Sequence, residues 1–208
     1  MKKPMKALLT VMCALLLVVA SVFTTMAYLT AQDTVTNTFT IGKVDIEVDE
    51  DDPKSDDPKD RVEKNDYTLM PGITYDKDPQ VHVVAGSEDC WIFVKIDNGL
   101  AGLEITKSDN TNKTIADQMI ANGWVNIASS GNTTVYAYTT KVEKSTEVQT
   151  VKTFTKFTTL SDVTATDLED YDGNTIVVVG YAIQADGFDG YAAAWTALNT
   201  ELSVIPTP

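Results

Sequence analysis

Histidine and cysteine are almost missing from this 208-residue chain, which holds one histidine, His82, and two cysteines, Cys13 and Cys90. A zinc hydrolase needs at least two imidazoles beside a glutamate to hold the metal and activate water, and one histidine cannot build that set. A serine triad needs a histidine base, and no Gly-x-Ser-x-Gly element is present for His82 to serve. No glycine-rich loop suited to cradling phosphate is present either. Carboxylates are plentiful, but nothing in the sequence singles out the spaced pair that glycoside hydrolysis requires. The chain therefore reads as non-enzymatic. Positive charge is also scarce: beyond residue 27 there are 13 basic residues against 30 acidic ones, a net −17. Such a surface repels nucleic acid and anionic lipid.

What basic charge there is at the start has a purpose. Lys2, Lys3 and Lys6 precede a nearly unbroken apolar run from Ala7 to Phe23, closed by Thr24, Thr25, Met26 and Ala27. This is the layout of a secretory signal peptide, residues 1–27, with Thr25 and Ala27 as the small residues before the cut and Tyr28 as the new N-terminus. A retained anchor is the alternative, but the run is at the lower limit for spanning a bilayer. Cleavage removes Cys13 and leaves Cys90 alone, so no intrachain disulfide can form. Cys90 opens the apolar run Cys90–Ile96, where a buried thiol acts as a small hydrophobe.

The remainder has a β composition, with 26 threonines in residues 28–208. Residues 28–48 form an N-terminal segment and first strand: Phe39 and Ile41, then Val44, Ile46 and Val48 alternate with polar residues about Gly42. Residues 49–66 read as an acidic loop, and Asp49, Glu50, Asp51, Asp52, Asp56 and Asp57 are its weak candidate cation ligands. The run lacks the spaced ligands and terminal glutamate of a calcium loop, so no cofactor is expected beyond weak calcium binding. Residues 67–208 complete one domain. Strands are expected at Gln80–Val84, with His82 facing solvent, and at Cys90–Ile96, the two joined as a hairpin through Ala85–Asp89. A short strand is expected around Leu103–Thr106, and others at Trp124–Ile127, Thr133–Lys141 and within Val148–Thr158. Thr175–Gln184, apolar on both faces in its first half, reads as the central core strand. Two short helices are expected: Thr114–Asn122, with Thr114 as N-cap, and Gly190–Leu202, with an apolar stripe through Trp195. Trp91, Trp124 and Trp195 could line a carbohydrate platform, but their places in strands and on that stripe read as core. The pattern is that of an all-β protein, an antiparallel β-sandwich of jelly-roll or immunoglobulin-like type with two short helices.

Around the cut the residues run Thr24-Thr25-Met26-Ala27-Tyr28-Leu29-Thr30-Ala31-Gln32-Asp33, then Thr36-Asn37-Thr38-Phe39-Thr40-Ile41-Gly42-Lys43-Val44-Asp45-Ile46. This junction resembles the TasA/camelysin family of exported Gram-positive proteins, whose signal peptides are cut by a SipW-type peptidase. The stretches Pro71–Val81 and Tyr181–Phe188 are similar to segments of secreted relatives with this signal. The resemblance covers the N-terminal third well and the rest in outline, and the acidic insertion after Val48 departs from it. It implies a jelly-roll subunit of extracellular matrix or biofilm fibres, at the surface of a Gram-positive bacterium. Cleavage would free Tyr28–Ile41 of one subunit to add as a strand to the next or to a related matrix protein, with Leu29, Val35, Phe39 and Ile41 as its anchors. Contact with the membrane would be confined to the signal peptide before cleavage. Some relatives have been called metallo-endopeptidases, an activity from which the single histidine departs. A camelysin-like secreted peptidase and a non-polymerising surface binding module are the alternatives.

The charge makes one expectation measurable. A net −17 on each subunit opposes stacking, and salt screens that repulsion beyond about 8–10 Å. Assembly followed by light scattering should therefore accelerate with added salt or divalent cations, and assembly unchanged by ionic strength counts against self-association.

Overall fold

The computed structural model describes Met12 and residues 43–204, except Pro53, Asp56, Pro58, Lys59 and Asn110. The fold is all-β, with antiparallel sheets and, among the described residues within 43–204, three short α-helices. Its strands are β1 (Ile46–Asp51), β2 (Arg61–Val62), β3 (Thr74–Asp76), β4 (Gln80–Val83), β5 (Cys90–Asn98), β6 (Trp124–Ser130), β7 (Thr133–Tyr138), β8 (Gln149–Lys152), β9 (Lys156–Thr158) and β10 (Ile176–Gln184). The helices are α1 (Ile115–Ala121), α2 (Ala165–Glu169) and α3 (Tyr191–Leu202). One four-stranded sheet has the order β2-β1-β4-β8 and the other β10-β5-β7-β6, while β3 and β9 form a two-stranded ribbon. Among the described residues no helix is long and apolar enough to cross a membrane.

Strand alternation builds the layers. On β5, Cys90, Ile92, Val94 and Ile96 point inward and join Val81, Val83, Val151 and Phe154 in the core between the sheets. The opposite face of β5 starts apolar, with Trp91 and Phe93, and turns polar at Lys95 and Asp97. The helix α3 covers that apolar half: Ala194 and Leu198 pack on Phe93, Val135 and Ala137, and Trp195 lies 5.4 Å from the Phe93 ring. The result is sheet on sheet, with a helix on the second sheet.

Four expectations change. The segments Gln80–Val84 and Cys90–Ile96 do not form a hairpin, because β4 and β5 belong to different sheets. Ala85–Asp89 crosses between layers instead, its backbone held by bonds from Gly86 N to Ser145 O and from Ala185 N to Asp89 O, both 2.7 Å. The strand expected near Leu103–Thr106 shrinks to a single bridge between Glu104 and Thr159. An unforeseen helix, α2, follows from a capping box in which Thr164 and Asp167 satisfy each other's backbone N–H groups. Finally, β10 is not central. Among the described residues it pairs with β5 alone and forms the edge of its sheet.

The apolar residues of β10 have another cause. Its outer side chains Tyr181 and Ile183 pack in the cluster beneath α3, and its inner face lies against β1. Gly180 permits that approach: a Cβ there would stand 2.7 Å from Val48 Cγ2 and 3.2 Å from Ile46 Cδ1. Gly180→Val should destabilise the domain by about 1–3 kcal/mol through overpacking. Chemical denaturation reads this directly, and an unchanged midpoint would disprove the contact.

Candidate functional site

A groove of about 850 Å³ opens beside the first half of β10. Val48, Leu69, Tyr75, Leu100, Phe157 and Val178 give it an apolar lining, and Glu50, Glu63, Asp66 and Glu169 add carboxylates. The groove exists because β10 ends its sheet there. None of the nine residues of β10 is fully buried, and Val177 is 47% exposed. An apolar strand whose unpaired backbone edge adjoins such a groove can bind an extended peptide through main-chain bonds, with side-chain pockets setting register.

One wall is built from the acidic segment, and here the structure corrects the expected loop 49–66. Asp49, Glu50 and Asp51 continue β1, and the chain turns back through β2 with pairs Glu50↔Val62 and Asp51↔Arg61. Arg61, the only arginine of the chain, clamps this hairpin. Its Nε donates to Asp49 Oδ1, its Nη1 to Asp78 Oδ2 at 3.3 Å, and its Nη2 to the carbonyls of Asp49 (3.2 Å) and Asp78 (3.1 Å). Burial opposes the Arg61 charge, but the bond to Asp49 and the charges of Asp78 and Asp49 outweigh it and raise its pKa.

His82 is also corrected, since it does not face open solvent. β4 lies between β1 and β8, so the ring is flanked from both sides: Nε2 lies 3.0 Å from Asp49 Oδ1 and Nδ1 2.9 Å from Thr150 Oγ1, with the side chain 15% exposed. The ring is thus a packed member of the polar network around Asp49.

Strand alternation sends Asp49 and Glu50 to opposite faces, so these two carboxylates do not converge. Glu50 points inward, 5% exposed, and accepts 2.8 Å from Lys77 Nζ. Asp51 donates its backbone N–H to Asp78 Oδ1, and Asp52 Oδ1 accepts from Lys54 N. Asp57 donates its N–H to Ser55 Oγ, and Asp56 lies outside the described residues. Among the described residues no group of three or more histidine, cysteine or acidic side chains is placed to hold a metal ion. Tyr67, which lines the groove, has its hydroxyl pushed up to about 12, by burial first and then by Glu50 and Asp78. Cys90 is fully buried, and burial followed by the Asp89 charge raises its thiol to about 11, far from nucleophile activation.

The cleavage residues Thr25, Ala27 and Tyr28 and the strand anchors Leu29, Val35, Phe39 and Ile41 lie outside the described residues. The chain enters at Lys43, whose carbonyl accepts from Glu88 N, and at Asp45, whose N–H donates to Ser87 Oγ. Sequence reasoning missed Arg61, Lys77 and Asp78 and the open edge of β10. A lone arginine inside an acidic run was a usable signal for a clamp, whereas nothing local marks an edge strand. Comparison with protein-family models, curated proteins and solved structures finds no match to this chain.

The Glu50–Lys77 pair tests the wall. Lys77→Met strands a buried carboxylate and should cost about 3–5 kcal/mol, whereas Glu50→Leu combined with Lys77→Met should recover most of it. Equal stability of the single and double variants in urea titrations would refute the pair.

Proposed function

We propose that this protein is a secreted, non-enzymatic structural subunit of an extracellular matrix, TasA-like, which assembles by passing its processed N-terminal segment to a neighbouring copy. The observation that carries this reading is the open edge of β10 beside the apolar groove. Residues 28–41 bring what that edge lacks: a backbone to pair with, and Leu29, Val35, Phe39 and Ile41 to cover apolar surface. A related matrix protein with the same groove is the other acceptor.

Geometry supports donation between copies. The chain enters β1 at the end of the sandwich that holds Ser87, Glu88 and Gln184, while the groove lies toward Ile176, at the other end of β10. A donor segment of one copy on the β10 edge of another makes a heterologous contact, which repeats into an open filament where the rotation between copies does not close. Signal cleavage between Ala27 and Tyr28, by a SipW-type peptidase, is then the switch, since an uncut chain keeps its donor tethered to the membrane. Without a disulfide, such a fibre depends on non-covalent contacts, with packing and backbone pairing at the donated strand.

Phe39→Asp with Ile41→Asp in the mature chain, residues 28–208, puts two carboxylates on the donor's apolar face. Electron microscopy should show filaments from the wild-type chain and none from this variant, with far-ultraviolet circular dichroism unchanged. Filaments of equal number and length from both would sink the donation reading.

A further inference from the structure

The negative charge is unevenly spread. Residues 161–208 carry eight acidic residues and no basic one, whereas residues 101–160 carry six lysines against five acidic residues. Three of those lysines, Lys113, Lys152 and Lys156, line a hollow of about 400 Å³ formed by α1, β9 and the end of β8, and no acidic residue lines it. All three are exposed. Lys152 has no ion pair among the described residues, and Lys156 Nζ lies 3.9 Å from Asp76 Oδ1, a loose contact between exposed groups. Gln118 lines the hollow with its side-chain amide fully engaged. Gln118 Nε2 donates to the carbonyls of Lys113 (3.0 Å) and Lys156 (2.8 Å), and its Oε1 accepts from the N–H groups of Thr155 (3.0 Å) and Lys156 (3.1 Å). The hollow therefore presents ammonium groups beside an already bonded Gln118, on a chain whose net charge is negative.

We infer that this lysine hollow docks the acidic α2 segment, Asp162–Asp172, of a second copy. The inference rests on the self-assembly reading above and names a second contact for it. Charge complementarity selects the occupant. The α2 segment has no buried residue within its helix, and Asp162, Glu169 and Asp172 form no ion pair among the described residues. Asp167 is committed to the capping box with Thr164. Glu169 and Asp172 also line the β10 groove, so one neighbour presents both the acceptor groove and the carboxylates. Screening removes the long-range repulsion between subunits at physiological salt, while pairs in direct contact persist. Opposite charges at this contact set the register of stacking and suppress misaligned approach.

The test uses the mature chain, residues 28–208, at physiological salt, with sedimentation velocity and electron microscopy. One variant reverses the hollow (Lys113→Glu, Lys152→Glu, Lys156→Glu), another reverses the segment (Asp162→Lys, Glu169→Lys, Asp172→Lys), and a third carries all six. Each single reversal should raise the concentration needed for assembly about tenfold, and the six-fold variant should return to within about threefold of wild type. Assembly indifferent to both reversals overturns the docking, as does a six-fold variant no better than either parent. Lysine-dependent binding of short polyphosphate, with assembly unaffected by the reversals, assigns the hollow to an external polyanion and also overturns it. In each of those cases loss of filaments in the Phe39→Asp, Ile41→Asp chain still upholds strand donation. A wild-type chain that stays monomeric throughout removes both.

Discussion

An apolar strand of nine residues stands at the edge of its sheet, and much of the architecture answers that constraint. Unpaired strand edges invite pairing with other chains, and globular proteins usually shorten, charge or cover them. Here β10 is long, uncharged and largely apolar. Its faces are covered in part, one by β1 through the close approach at Gly180, the other, in its second half, by α3 through Tyr181 and Ile183. Among the described residues the edge itself has no partner strand, and the groove adjoins its first half. That combination of protected faces and an open edge is what a strand acceptor requires.

The acidic hairpin shows how a highly charged segment can be part of the framework. Its backbone pairing is slight, two residue pairs between β1 and β2, so side chains hold it in place. Arg61 ties both Asp49 and Asp78, and Lys77 neutralises the inward-pointing Glu50. Such pairs stabilise poorly when compared with apolar packing, but removing one partner is costly because the other charge stays buried. The hairpin wall of the groove thus depends on two basic residues in a chain that has few to spare.

Much of the fold was readable from periodicity. The alternation in Cys90–Ile96 located β5, Thr114 with Asp117 capped α1 as expected at 3.1 Å, and the stripe through Ala194 and Leu198 placed α3 against the core. What periodicity cannot reveal is which sheet a strand joins. It reads as apolar on both faces whether flanked by two strands, as in a parallel core, or clasped between a sheet and a helix, as β10 is. The same blindness made β4 and β5 look like a hairpin and left His82 facing water, since the exposure of its outer face depends on β1 and β8 lying to either side. The acidic run was misread for a related reason: composition signalled a solvated loop, but alternation within Asp49-Glu50-Asp51 continues the strand. Of the proposed contact, residues 28–41 stand out as a motif in the sequence and the edge position of β10 does not, because an edge is made by topology.

Donor and acceptor meet in one claim: residues 28–41 of one chain pair with β10 of another. Hydrogen exchange measures this most directly. A synthetic peptide spanning residues 28–41 is added to the mature chain under conditions where it remains monomeric, and exchange is followed at the amides of Ile176–Gln184. The account predicts that exchange along β10 slows on addition of the peptide while exchange in β6, at the opposite edge of the same sheet, stays as it was. Exchange at β10 that is indifferent to a saturating excess of peptide, or slowing that is confined to β6, would contradict it.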